Sequence, residues 1–441
     1  MLAQNTLRHP MTFSFRLEVE DRLEYAVLER AANQIARNHF RLVAPAQTEA
    51  FPFSWEPIGQ FEILVESHRW GESPQILQRD SHFGREPAIR ISLALNDNLG
   101  YSELWLQFHH VSCDGIGAMQ FIQLLLQHRD CPSQGIPATA TQEGRLPHIS
   151  DKNKTVRTSF RYDCVRTWYY FLHGRPVVLA GKGAQNAGPD TSASAVRRLS
   201  LSLSCRILPH FRRTSQKSDL TINDALLGCL FRAVAKWCPT ANGQRSGWIR
   251  LGVPTNMRVS GQSDSVEIKN DVSMVFVDRE IGEISKDQNF LEGIHQEMGL
   301  LKIYCAGNAL LRALSWLKHI PKTLAYLLKS PQFATTVLIT NLGIVFRDAE
   351  TCRDAQHRSL ISSINVFPPL RIGTSVAFGA LTLEDQLQIS MTYDVEKLGF
   401  ESASALLEAL ASEMKPFGQY WTEVAVKPIG ANQRKPVSAL T

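Results

Sequence analysis

An α+β protein of two lobes is predicted by three features of this chain. Short stretches of alternating polar and apolar residues recur in both halves. Runs with apolar residues at helical spacing separate them, and a polar stretch from Gly181 to Ser194 lies between the halves. At 441 residues the chain also exceeds the size at which one hydrophobic core usually stops growing. The expected division is an N-terminal lobe over 1–180, a linker over 181–195 and a C-terminal lobe over 196–441. The linker falls there because a regular alternating strand, Val196 to Ser202, begins immediately after it.

The first half opens as strand, helix, strand. Thr12-Phe13-Ser14-Phe15-Arg16-Leu17 alternates as a half-buried strand does, and Tyr25, Leu28, Ala31, Ala32, Ile35 and Ala36 recur at helical spacing. His39 to Val43, Phe61 to Val65 and Ile89 to Leu95 are further strand candidates, with a turn over Asn96 to Gly100 leading into an alternating strand, Ser102 to Phe108. Beyond Gly115 the period becomes helical through Ile116, Met119, Phe121, Ile122, Leu124, Leu125 and Leu126. Cys131 to Lys154 then reads as a loop, followed by an aromatic segment, Val165 to Val178.

In the second half, Thr221-Ile222-Asn223-Asp224 offers capping oxygens to a helix running through Ala225, Leu226, Leu230, Val234 and Trp237. Strands are expected at Trp248 to Val253, Val272 to Val277, Thr336 to Thr340, Ser375 to Leu381 and Leu387 to Tyr393, the last two forming a hairpin about Glu384-Asp385-Gln386. Leu310 to Leu328 reads as a helix with a basic face, broken at Pro321, and Glu401 to Met414 as a closing helix. The basic face suits either a solvated surface or contact with a membrane or an acidic carrier.

Composition narrows the class. With 44% hydrophobic and 20% charged residues the chain is a core-forming one. Its 47 basic and 42 acidic residues are interspersed, so the net charge of +5 suits an anionic small ligand and does not indicate nucleic acid. Eight cysteines without C-x-x-C or metal-ligand spacing read as reduced thiols. Met1 to Pro10 lacks a signal-peptide core, and no run reaches the roughly 18 apolar residues of a membrane span. A cytoplasmic protein with no membrane span is expected.

His109-His110-Val111-Ser112-Cys113-Asp114-Gly115 concentrates the chemistry, at the point where a strand stops and a helix begins. His110 is the candidate general base, because an imidazole with a pKa near 6.5 needs little adjustment to take a proton at neutral pH. A lone histidine at a strand end is usually satisfied by backbone, but the neighbouring His109 and the Asp-Gly four residues on favour catalysis. Asp114 reads as a brace needing a cation, as an N-cap near Gly117, or as both. Gly115 suits a turn needing positive φ or close backbone approach. Val253 to Arg258 reads as a strand that stops at Pro254 and delivers Asn256 and Arg258 into a loop, with Arg258 the candidate partner of Asp114. Asn270, Ser273 and Asn341 lie at or near strand ends, lining a cleft or making turns.

This heptapeptide resembles the HHxxxDG motif of the condensation domains of nonribosomal peptide synthetases, in the superfamily that also holds chloramphenicol acetyltransferase and plant-type alcohol acyltransferases. Arg85 to Arg90 is similar to the segment preceding the histidine strand in these enzymes, and Thr221 to Leu227 to their T-x-N-D-x-L-L helix start. Pro254 to Arg258, Thr340 to Gly343 and Met391 to Asp394 fall in the family's order, so the resemblance spans about residues 10 to 415. The D-F-G-W-G motif of plant-type enzymes is absent, Pro368 to Gly373 standing in its region.

The resemblance implies an α+β fold of two chloramphenicol acetyltransferase-like α/β sandwich lobes arranged as a V with a tunnel between them. It implies a stand-alone acyltransferase moving an acyl group from a thioester, on coenzyme A or an acyl carrier protein, to a hydroxyl or amine. Its partners would be a small-molecule acyl donor, an alcohol or amine acceptor and a carrier protein, with no cofactor, metal or nucleic acid. His110 would be the base, with His109, Asp114 and Gly115 around it, the Asp114–Arg258 salt bridge holding the loop, and Asn256, Asn270, Ser273 and Asn341 lining the tunnel. No cysteine is implied as a nucleophile. Condensation, cyclisation or epimerisation on a carrier-bound substrate is the alternative, as is a catalytically silent module that holds an acyl ligand or docks a carrier.

Overall fold

Two large β-sheets organise the chain in the computed structural model, which describes residues 9–47, 54–56, 61–79, 84–128, 175–181, 196–204, 220–243, 245–258, 268–286, 289–303, 334–346, 359–384, 386–417 and 427–429. The loop over Cys131 to Lys154, most of the aromatic segment Val165 to Val178 and the basic helix Leu310 to Leu328 lie outside the described residues.

The first sheet takes β1 (Thr12–Val19), β4 (Val65–Ser67), β5 (Ile89–Asn96) and β6 (Tyr101–His109) from the first half of the chain, in the order β1-β6-β5-β4. Only β4–β5 is parallel. Alternation puts Phe13, Phe15, Leu17, Leu104, Leu106 and Phe108 on one face, where they pack with helices α1 (Tyr25–Asn38) and α2 (Gly115–Gln127). The opposite face is polar yet buried: Arg16 and His68 both bond the Glu103 carboxylate, and Trp105 Nε1 donates to it at 3.2 Å. A short pair, β2 (Ala46–Gln47) and β3 (Ser54–Trp55), stands apart.

Two strand expectations in this half fail for local reasons. His39 to Val43 holds a 3₁₀ turn, Phe40–Leu42, because the Phe40 carbonyl is taken by the nearby amides of Val43 at 3.0 Å and Ala44 at 2.7 Å. Phe61 to Val65 stays unpaired until Val65, because the Asn33 side chain on α1 bonds both the N–H and the C=O of Ile63.

The second sheet has seven strands, β14 (Lys427–Ile429), β7 (Val196–Ser204), β13 (Gln386–Asp394), β12 (Val376–Leu383), β10 (Val337–Val345), β8 (Trp248–Asn256) and β9 (Val272–Glu280), in that order across the sheet. One face buries Leu251, Val337, Phe378, Ile389 and Met391 with α3 (Ile222–Asn242), the short α4 (Ile281–Ile284), α5 (Phe290–Ile303) and α6 (Phe400–Met414). The expected cap of α3 is present as a reciprocal pair, Thr221 Oγ1 accepting from the Asp224 amide and Asp224 Oδ2 from the Thr221 amide at 2.8 Å. The β12–β13 hairpin also forms as expected. No helix among the described residues is long and apolar enough to cross a membrane.

Here too strand limits differ from expectation. β8 does not stop at Pro254 but runs on to Asn256, because β10 pairs with it only as far as Gly252 and leaves Pro254 in a stretch paired on one side alone. β10 continues past Thr340 through a bulge between Asn341 and Ile344, where Gly343 takes a φ of 72°.

Among the elements not foreseen, such as the helix Phe290–Ile303, the one that matters most is β11 (Ile361–Phe367), from the second half of the chain, which pairs antiparallel with β1 as the edge strand of the first sheet. The first sheet thus draws one strand from across the 181–195 stretch. β11 lies directly over β12, and a Cβ at Gly379 would overlap the Val366 carbonyl oxygen. Glycine is required there by close backbone approach. Gly379→Ala is expected to destabilise the protein by about 3 kcal/mol through overpacking against rigid backbone, read as a lowered urea midpoint.

Candidate active site

β6 delivers the two histidines. His109 ends the strand opposite Thr12, its amide donating to the Ala88 carbonyl at 2.7 Å, and the His110 amide donates to the Met11 carbonyl at 2.8 Å. The chain then turns, Ser112 N–H reaching back to the His109 carbonyl at 3.0 Å, and α2 starts after Asp114. The His110 ring packs on Phe13, with centroids 5.1 Å apart, and Phe13 stacks on Phe108. The imidazole therefore rests on the core of the first sheet.

Asp114 serves as both cap and brace. Its Oδ1 accepts from the Gly117 amide at 2.9 Å and from Arg258 Nη2 at 3.1 Å, and its Oδ2 from Arg258 Nη1 at 2.7 Å and the Asp271 amide at 2.8 Å. A carboxylate only 3% exposed is thereby fully satisfied. Arg258 also donates to the Lys269 carbonyl at 2.9 Å, and the Asp114 amide donates to the same oxygen at 3.2 Å. The bidentate pair spans 144 residues of sequence and ties the histidine loop to the segments following β8 and preceding β9.

The glycines of the turn follow from this junction. A Cβ on Gly115 would lie 2.7 Å from Leu342 Cδ2, and one on Gly117 3.1 Å from the Lys269 backbone. Gly115 thus faces the tip of a side chain and Gly117 faces backbone; of the described glycines with positive φ, none lies in this loop.

Burial controls the ionisation of the site. His109 is 2% exposed, and burial, with smaller contributions from His110 and Arg90, lowers its pKa to about 3. Burial likewise lowers His110 below 6.5, opposed by its own backbone carbonyl and the Asp114 carboxylate. Both rings are neutral at pH 7. His110 Nδ1 is sealed from solvent, which leaves Nε2 for proton exchange. Cys113 is fully buried, and burial followed by Asp114 pushes its thiol well above the ordinary value, so it supplies no thiolate.

The remaining sequence candidates divide by position. Asn270 donates through Nδ2 to the His110 carbonyl and so touches the histidine loop itself. Asn341 Oδ1 accepts from Gly343 N–H at 2.9 Å and shapes the bulge that carries Leu342 onto Gly115. Asn256 is exposed and accepts from the Arg258 amide at 3.0 Å, while Ser273 is buried on β9 opposite Thr255. Phe13, the Lys269 carbonyl and the Asp271 amide belong to the junction without having been expected there. Two of them act through backbone, which residue type does not reveal. Among the described residues no group of histidine, cysteine and acidic side chains is arranged to hold a metal.

Removing Arg258 leaves a buried carboxylate without its cation. Arg258→Met should lower stability by about 3 kcal/mol in urea unfolding, and Arg258→Lys should restore only part of that because it lacks the planar fork. His109 carries a pH dependence. It stays neutral when folded down to about pH 3, whereas the unfolded ring takes its proton near pH 6.5, so its contribution is lost as pH falls through that window. In His109→Leu the pH slope of unfolding free energy between 6.5 and 3 should flatten by up to about 1.4 kcal/mol per pH unit, read in urea unfolding at several pH values.

No family model and no curated protein sequence matches the chain. Solved structures do. The trichothecene 15-O-acetyltransferase of Fusarium sporotrichioides aligns with a TM-score of 0.62 at 12% identity, over 94% of this chain and 92% of that one. The first condensation domain of the CDA synthetase aligns with a TM-score of 0.61 at 15% identity, over 96% and 94%. The epimerization domain from the third module of tyrocidine synthetase B aligns at 0.60 and 15%, over 93% and 92%. Over nearly its whole length, then, the chain shares the fold of these condensation and epimerization domains and of this acetyltransferase.

Proposed function

We propose that this protein is an acyltransferase that moves an acyl group from a thioester, on coenzyme A or a carrier protein, to a hydroxyl or amine. The observation that carries this reading is a neutral His110 at the end of β6, in a loop fixed by the Asp114–Arg258 pair and by Asn270 on its own carbonyl. A base needs both features: it must be unprotonated at working pH, and its ring must not wander. In this reading the chain forms two lobes, over 1–180 and 196–441, set as a V, with β11 crossing from the second to complete the sheet of the first. The acceptor and the thioester enter a tunnel between them from opposite sides, past Asn256, Ser273 and Asn341.

His110 Nε2 takes the proton of the acceptor hydroxyl or amine as that atom attacks the thioester carbonyl. The tetrahedral intermediate collapses by breaking the carbon–sulfur bond, and the imidazolium returns the proton to the departing thiolate. Ester or amide and free thiol result, with no acyl-enzyme, in keeping with the buried, protonated Cys113. Likeness to synthetase domains supports a carrier-bound donor as a second form of the same reaction.

The test is thiol release from a panel of acyl-coenzyme A and acyl-carrier thioesters offered with alcohol and amine acceptors. His110→Ala should reduce the rate on the order of 10³-fold. Unchanged turnover in that variant rules out the base role, and acyl-ligand binding without turnover in either protein points to a silent module. Because the base works neutral and its pKa lies below 6.5, kcat/KM should be level at neutral pH and fall only at pH below that value.

A further inference from the structure

The second sheet turns its helix-free face toward β11 and the start of β1. Along β13 that face is polar, and beyond the exposed Gln386 it is buried: Gln388, Ser390, Thr392 and Asp394. Two of the four are engaged. Gln388 Oε1 accepts from the Ile364 amide at 3.1 Å, and Asp394 faces His9 Nε2 at 3.4 Å and accepts from the Glu396 amide at 3.0 Å. The hydroxyls of Ser390 and Thr392 are sealed from solvent and have no hydrogen-bond partner among the described residues.

Beside Thr392 in register stands Arg198 of β7, on the same face. Its Nε is also sealed and has no hydrogen-bond partner among the described residues, although the residue as a whole is only partly buried. The contrast is Arg250 on β8, whose guanidinium is closed by Asp278 with bonds of 2.9 and 2.7 Å. Burial, with Arg197 nearby, lowers Arg198 to about 10, which leaves it charged at neutral pH. A guanidinium N–H and two hydroxyls without partners among the described residues destabilise the fold unless something else binds them. Chain path places this group near the histidine loop: Asp394 follows Thr392 by two residues, its partner His9 precedes Met11 by two, and the Met11 carbonyl holds the His110 amide.

We propose that Arg198, Thr392 and Ser390 form a carboxylate subsite for a substrate of the transfer, the fork taking both oxygens and the hydroxyls donating to them. One planar cation with two neutral donors matches a single, planar negative charge better than a phosphate. Ala377 and Leu338 follow Thr392 in register across the same face and cluster with Val196, an apolar surface that suits the carbon skeleton of an organic acid. The inference rests on the acyl-transfer reading and adds to it that donor or acceptor carries a free carboxylate besides its reacting group.

Calorimetric titration of the full chain with benzoate, succinate and inorganic phosphate tests this in the wild type, Arg198→Met, Arg198→Lys and His110→Ala. A carboxylate should bind wild type and His110→Ala alike, and Arg198→Met at least about tenfold more weakly, with Arg198→Lys between. Thermal melting is the control for folding: an arginine kept for a ligand is unpaired in the free protein, so Arg198→Met should melt at the wild-type temperature or above it. Equal carboxylate affinity in wild type and Arg198→Met, no carboxylate binding to wild type, tighter binding of phosphate, or a lowered melting temperature in Arg198→Met overturns the subsite. The His110→Ala arm reads binding alone, so loss of the base role and loss of the subsite are separate results.

Discussion

The carboxylate of Asp114 is the constraint around which the site is built. A buried carboxylate has to be compensated, and this one is compensated by groups that come from three places: the first turn of its own helix, the Arg258 fork beyond β8, and the Asp271 amide ahead of β9. Satisfying one side chain therefore fixes where the end of β6, the start of α2 and the β8–β9 ends lie relative to one another. Gly115 and Gly117 follow from that closeness, since Leu342 and the Lys269 backbone occupy the space a side chain would need. The position of His110 is a by-product of the same packing, with Phe13 beneath its ring and Asn270 on its carbonyl.

The second constraint is the crossing of β11 over β12. Helices cover one face of each sheet, and the remaining faces carry buried polar residues where a hydrophobic core would ordinarily sit. Pairing β11 with β1 while laying Val366 over Gly379 brings those faces together, with Val345, Leu381 and Leu383 of the second sheet joining the core of the first beside the polar strip. Several of the polar groups are closed locally, as in Arg250–Asp278 and the Arg16–Glu103–His68 cluster. Arg198 is not, and a polar face left incompletely satisfied is the surface a cleft for polar ligands requires.

Burial does the chemical tuning. It keeps both histidines neutral and holds the Cys113 thiol protonated, so within one seven-residue motif the same desolvation leaves a base available and a competing nucleophile silent.

The sequence by itself determined the elements whose two periodicities are unambiguous, together with the local chemistry at their ends. β1, β6, α2 and α3 read directly because one face of each faces a core, and the Thr221 capping box and the Asp114 cap read directly because capping is a contact across three residues. The Asp114–Arg258 pair was readable as charge complementarity between two motifs, though not its two-bond fork or the Asp271 amide on the same carboxylate. What tertiary structure alone decided are the contacts made by backbone or by the absence of a side chain. The Ile361–Phe367 strand breaks alternation at Ser362-Ser363 and at Val366-Phe367, and is defined by β1 on one edge and β12 beneath it. The strand through Pro254 exists because β10 turns away, and Asn33 unmakes a strand at Ile63 by taking its hydrogen bonds. Arg198 could be placed in a strand from its neighbours, but that its Nε has no partner among the described residues is a property of the assembled face, since pairing depends on what the fold brings within reach.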